Sequence, residues 1–199
     1  MKNNKMKYFA YFTVLLSIEI IFCFTPLGSL PAFGPIVATL SCIPVIITSL
    51  SLGIKAGTFM GFLFGLFSFI VWTFMPPLPI SAFIFTPFSE AGAYKGNFGS
   101  IIICFIPRIL IGITTFFAYK KSRSKVLASI LGSLTNTIFV LLGIAIFFAN
   151  EYTNINGRPL LYILTFTILT NGIPEALVSA IVCPPLVKVV NLYKEKLDF

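Results

Sequence analysis

The sequence predicts an all-α integral membrane protein, a bundle of six transmembrane helices with both termini in the cytoplasm. Three observations predict it. Of 199 residues, 57% are hydrophobic and only 10% charged, and the mean hydropathy is +0.99. Long apolar runs recur along the whole chain, and the basic residues gather at the ends of alternate connections. A soluble domain usually carries about 25% charged residues to cover itself in water. This chain has too few for that, and in lipid it needs none. No polar stretch is long enough for a second domain, so residues 1–199 read as one transmembrane unit.

A spanning helix needs about 20 mainly apolar residues. Stretches of that kind cover residues 8–24, 35–53, 56–74, 99–119, 126–149 and 159–187. The first follows a basic start, Met1 to Lys7, which imitates a signal peptide; its apolar run is long for one and no small-residue cleavage site follows, so it reads as a retained helix. The second and third are separated only by Gly53-Ile54-Lys55, a tight turn between antiparallel helices. The sixth is long enough to leave the bilayer and continue into the cytoplasm.

With six spans, Lys2, Lys5, Lys7, Lys55, Lys120, Lys121, Arg123, Lys125, Lys188, Lys194 and Lys196 all fall on one side. The other side has Lys95 and Arg158, each with an acid nearby, Glu90 and Glu151. The positive-inside rule then places both termini in the cytoplasm of a multi-pass cell-membrane protein. A net charge of +8 in a soluble protein would raise nucleic acid as a partner. Here the charge is a topology signal, and the expected surroundings are the lipid bilayer.

Two outer connections differ from the inner ones. Loop 1, Thr25 to Gly34, reads TPLGSLPAFG, and loop 3, Met75 to Asn97, reads MPPLPISAFIFTPFSEAGAYKGN. Both mix Pro and Gly with aromatics and are expected to be ordered external loops. Long structured loops in compact proteins tend to be lids or binding loops; passive connectors resting on the membrane surface are the alternative. Trp72, at the outer end of the third span, reads as an interfacial aromatic.

A polar group inside the membrane is costly and needs a reason. The informative residues are Glu19, Arg108, Asn136, Asn171 and Glu175. Arg108 follows Pro107 and lies about 13 Å below the start of the fourth span, too deep for an end anchor. Its fork suits a carboxylate ligand, or an internal ion pair with Glu19 or Glu175. Asn136, in Gly132-Ser-Leu-Thr-Asn-Thr, offers donors and an acceptor to a ligand or to a neighbouring helix. Glu175 lies in Asn171-Gly-Ile-Pro-Glu-Ala, where Pro174 is expected to kink the helix beside the acid. Thr13 and Ser17 form a small-xxx-small pair on the first helix, a spacing that lets another helix approach closely, from within the bundle or from a partner.

Chemistry is poorly provided for. His is absent, and Cys23, Cys42, Cys104 and Cys183 sit in or beside apolar runs without C-x-x-C spacing, so they read as packing residues. There is no phosphate loop and no nucleophile or zinc motif. No catalytic residues, metal or cofactor are expected.

Along nearly its whole length the chain resembles the S components of energy-coupling factor (ECF) transporters. The first helix resembles that family's A-x-x-x-A region, with Thr13 and Ser17 in place of the alanines, followed by Glu19. Then come Thr25-Pro-Leu-Gly, Ile43-Pro-Val-Ile-Ile, Gly53-Ile-Lys-Ala-Gly and Gly61-Phe-Leu-Phe-Gly-Leu-Phe-Ser, and later Pro107-Arg-Ile-Leu-Ile-Gly and Gly132-Ser-Leu-Thr-Asn-Thr. The resemblance implies a six-helix vitamin-binding subunit that associates with a transmembrane coupling protein and two ABC ATPases. It implies delivery by toppling in the membrane, with Thr13 and Ser17 on the docking face and ATP hydrolysis by the partners. The Pro-Arg and Leu-Thr-Asn-Thr segments look most like pantothenate-type members. That likeness implies Arg108 on the substrate carboxylate, and Asn136 and Glu175 on its hydroxyl and amide groups; Asn171 and Glu19 are further substrate-binding candidates as polar residues within the membrane. Ser41-Cys42 stands where relatives often carry a histidine. Other cargoes (folate, cobalamin, a queuosine-like precursor) and a structural or assembly subunit are the alternatives.

Overall fold

The computed structural model describes residues 2–28 and 40–196. Residues 29–34 of the first outer connection and 35–39 of the expected second span lie outside the described residues. Almost everything described is helical, and five helices are long and apolar enough to cross a membrane. They are Met6–Phe24 within α1 (Lys2–Phe24), α3 (Ile54–Phe74), α4 (Phe98–Ser122), α5 (Lys125–Phe147), and a continuous segment Leu160–Leu192.

The helix at the second expected span is different in kind. α2 covers Cys42–Leu52, 11 residues, or about 16 Å at 1.5 Å per residue. Every residue from Cys42 to Ser49 is buried, so its apolar character serves the protein core rather than lipid. α1 shows the opposite. Among its described side chains only Leu15 and Glu19 are buried, while Phe9, Val14, Ile18 and Ile21 are exposed. A helix that is apolar all round suits a bilayer.

The turn between α2 and α3 is tighter than expected: Gly53 alone makes it, with φ +91, and Ile54 and Lys55 already belong to α3. That φ is open to glycine at no steric cost. α3 and α4 then run antiparallel at very short range. A Cβ added at Gly61 would overlap the Arg108 backbone and one at Gly112 the Gly57 backbone, while one at Gly57 would overlap Ser49 of α2. Small residues permit this approach, which is a main source of helix association where lipid tails give no hydrophobic drive.

Residues 75–97 fold into structure of their own. Pro79–Ile84 form a 3-10 helix. β1 (Glu90–Ala91) and β2 (Tyr94–Lys95) pair antiparallel, with Glu90 opposite Lys95 and their side chains 2.7 Å apart. The 3-10 segment is driven into the bundle end: Ser81 through Thr86 are buried, and the Ser100 hydroxyl donates to the Phe83 carbonyl at 2.6 Å. Asn97 caps α4, accepting from the Gly99 amide at 2.7 Å, in a capping box with Ser100. At the other end of α4, Arg123 adopts φ 56 and Ser124 caps α5, accepting from the Leu127 amide.

After α5 come short α6 (Ala149–Asn156), α7 (Leu160–Thr167), a π-helical turn Ile168–Gly172, and α8 (Ile173–Lys196). The Ile173 amide donates to Ile168, five residues back. Pro174 was expected to kink this helix by lacking an amide; the irregularity takes the form of a π turn just before it.

Two apolar clusters form the core. One gathers Trp72, Phe83, Phe85, Ile144, Phe148 and Tyr152. The other gathers Ile46, Met60, Phe64, Ile111, Cys183 and Val187.

Candidate functional site

Between the two clusters lies a small cavity. Ligand sites of small molecules are mostly apolar with a few convergent polar groups. Four helical segments wall this one, three of them by a face repeating every four residues. α3 presents Phe64, Ser68 and Trp72. α5 presents Asn136 and Val140 on one row and Thr137 and Leu141 on the next. The last segment presents Thr167, Asn171 and Glu175 across the π turn. α4 contributes Arg108 alone, and Phe85 reaches in from the 75–97 connection.

Arg108 is 6% exposed. Its guanidinium lies over two rings, 5.6 Å from the centroid of Phe64 and 5.2 Å from that of Phe85. Such contacts favour a cation where water is scarce. Trp72 stacks on Phe85 at 4.5 Å. Nη1 donates to the Ile103 carbonyl at 2.6 Å, while Nε is buried with no hydrogen-bond partner among the described residues. A buried donor without an acceptor costs free energy and needs an explanation.

Asn136 shows the complementary feature. Its Oδ1 is buried without a donor among the described residues. Thr137 donates to Glu175 Oε2 at 3.5 Å, and Glu175 and Asn171 are both buried. The cavity therefore offers a guanidinium donor at one point, and an amide oxygen and a carboxylate at others. That set suits a small ligand with an anionic end and hydroxyl or amide groups.

Of the sequence-predicted residues, Arg108, Asn136, Asn171 and Glu175 come together on this cavity, and Glu19 does not. Glu19 is wholly buried on α1. Its Oε1 accepts from the Cys23 thiol at 3.3 Å, and its Oε2 has no partner among the described residues. Pairing of Glu19 with Arg108, one of the two roles open to it, is thus not seen. Cys23 lines a neighbouring hollow that shares Phe64, Ser68 and Trp72 with the cavity. Trp72 itself is 8% exposed and walls the cavity, where the sequence suggested an interfacial position.

Thr13 and Ser17 lie far from this, exposed on α1. Their hydroxyls donate to the Phe9 and Thr13 carbonyls, each at 2.9 Å. Hydroxyls satisfied within their own helix leave a small, smooth face that lipid or another helix can cover.

Sequence reasoning missed Phe64, Ser68, Phe85, Thr137 and Thr167. A signal existed for some: Ser68 and Trp72 are four residues apart, as are Thr167, Asn171 and Glu175, and each set falls on one face of an otherwise apolar helix. Phe85 had no such signal, because its position depends on how an irregular segment folds back.

The family model for the ECF transporter substrate-specific component matches residues 7–187. The chain is 36% identical over 157 residues to the pantothenic acid transporter PanT of Lactococcus lactis subsp. cremoris, covering 77% of each protein. It is 29% identical over 178 residues to the pantothenate transporter PanT of Leuconostoc mesenteroides subsp. mesenteroides, covering 80% of this chain and 78% of that one. A match over almost the full length, on a chain whose described residues are mostly helical and include several membrane-length apolar helices, makes this a multi-pass transporter component rather than an enzyme. The chain belongs to the substrate-specific (S) components of energy-coupling factor transporters.

Proposed function

We propose that this chain is the high-affinity pantothenate-binding subunit of an ECF-type ABC importer. One observation carries the cargo assignment. The cavity holds a buried guanidinium with an unpartnered Nε and a buried amide with an unpartnered Oδ1. Pantothenate has a carboxylate for the first and hydroxyl and amide hydrogens for the second. In this reading Arg108 takes the carboxylate, while Asn136, Glu175 and Asn171 take the hydroxyl and amide groups. Glu19 contributes indirectly, from behind Cys23. The two relatives named for pantothenate support the same cargo.

The whole chain acts as one domain with six spans, α2 standing at the second. Both termini are cytoplasmic, because Lys55, Arg123 and their basic neighbours share one end of the bundle by connectivity. The 75–97 connection then lies outside, where it closes over the cavity through Phe85. Thr13 and Ser17 form the docking face for a transmembrane coupling protein bound to two ABC ATPases. Toppling of the loaded subunit against that module delivers the vitamin inward, and ATP hydrolysis by the partners resets it.

Isothermal titration of the purified protein in detergent, with pantothenate and a panel of other vitamins, tests the reading. Tight pantothenate binding without ATP is expected. Preference for another vitamin would replace the cargo, and a folded protein that binds none of them would remove the ligand-binding role.

A further inference from the structure

Arg108 follows a proline, and the hydrogen bonding around it gives that proline a purpose. In an α-helix the amide of residue 107 would donate to the carbonyl of residue 103. Pro107 has no amide hydrogen, and its ring also presses on the carbonyl four residues back. The Ile103 carbonyl is the group so released, and it is the one that accepts from Arg108 Nη1, at 2.6 Å. Ile103 is itself buried at 1% exposure, so no water replaces the lost helical donor. The guanidinium meets a requirement that its neighbour in the chain creates.

This bond also decides which edge of the guanidinium is left over. Nη1 is committed to Ile103 and the guanidinium rests over Phe64 and Phe85, which leaves the Nε side, the edge it shares with Nη2, for a further acceptor. Nε is the atom without a partner among the described residues. A side-on edge of this kind binds a carboxylate through two parallel hydrogen bonds. An unanchored arginine would have to lose its side-chain freedom when the ligand arrives, at a cost to affinity.

We propose that Pro107 is a positioning residue for anion recognition: by freeing the Ile103 carbonyl it anchors Arg108 Nη1 and presents the Nε–Nη2 edge, preorganised, to a ligand carboxylate. The inference rests on the proposed carboxylate role of Arg108 but goes beyond it, assigning the geometry of that arginine to a residue that need not touch ligand. With Ala at 107, the restored amide draws the Ile103 carbonyl back into the helical ladder and away from the side chain.

The test compares an anion with its neutral counterpart. Wild type and Pro107→Ala are titrated with pantothenate and with the alcohol in which a CH2OH group replaces the carboxylate. Pro107→Ala is expected to weaken pantothenate binding about tenfold, the scale of one hydrogen bond to a charged group, while changing alcohol binding less than about twofold. A second variant carries the α-hydroxy acid analogue of alanine at 107, which again lacks an N–H, and is expected to recover most of the lost affinity. Equal loss for both ligands, no loss for either, or no recovery with the ester would overturn the positioning role while leaving the cargo in place. Failure of the wild type to bind pantothenate would overturn the cargo and the positioning role together.

Discussion

Gly61 of α3 lies directly against the Arg108 carbonyl of α4, so closely that a Cβ at Gly61 would overlap it. The contact is between a position with no side chain and the backbone of the arginine that enters the cavity. Three residues on, α3 places the Phe64 ring over the same guanidinium. The helix spacing that Gly61 permits is therefore also the spacing that sets this ring contact.

Gly61→Val should push the two helices apart. Overpacking typically costs about 1–3 kcal/mol, and backbone is the neighbour here, so little can yield. The expected result is a lower thermal midpoint in detergent together with weaker pantothenate binding. A variant with unchanged midpoint and affinity would show that the close approach is not needed for the site.

Arg108→Ala should abolish binding of the anionic vitamin and leave the protein foldable and extractable. Truncating one partner of a buried charged pair commonly costs 2–5 kcal/mol or more, at least about thirtyfold in affinity. Arg108→Lys should not rescue it, because an ammonium lacks the planar fork that fits both Ile103 and a carboxylate. Titration of both variants decides the matter: normal binding by Arg108→Ala would remove the carboxylate assignment, and normal binding by Arg108→Lys would remove the need for the fork.

Asn136→Leu separates affinity from stability. The wild-type Oδ1 is buried without a donor among the described residues, and an unsatisfied acceptor costs about 1–3 kcal/mol in the empty protein. The substitution should leave the ligand-free thermal midpoint unchanged or raise it, while weakening pantothenate about tenfold or more. If both quantities fall together, Asn136 is holding the helices rather than waiting for a ligand.

Much of this was legible in the sequence, for a physical reason. Apolar runs of membrane length follow from the bilayer alone, so α1, α3, α4, α5 and the last long segment could be read directly. So could Arg108, Asn136, Asn171 and Glu175, because polar side chains in such runs stand out. What escaped depends on tertiary packing. α2 is apolar like a span, but its described part is a buried helix of 11 residues; hydropathy does not distinguish a protein interior from lipid. Trp72 suits an interface by composition, and only the folding back of Phe85 covers it. The π turn at Ile168–Gly172 leaves no mark in the sequence beyond the proline that follows it. Glu19 is polar and buried as expected, yet it faces Cys23 rather than the cavity, a distinction of helix rotation that composition does not carry.

The face formed by Thr13 and Ser17 gives the last prediction. Both residues are exposed, and both hydroxyls are already bonded to carbonyls of their own helix. Nothing about this face requires a polar partner, and small side chains let a neighbouring helix come close. Thr13→Trp or Ser17→Trp would put a bulky ring on that surface without touching the cavity, which is walled by other helices. Each variant should bind pantothenate as the wild type does, yet fail to copurify with the coupling protein and its ATPases, and fail to support uptake in reconstituted vesicles. The binding measurement guards against misfolding as the cause. Intact complex from both bulky variants would move the docking surface elsewhere on the bundle. Lost vitamin binding would mean that α1 is coupled to the cavity, through the Glu19–Cys23 contact that lies further along the same helix.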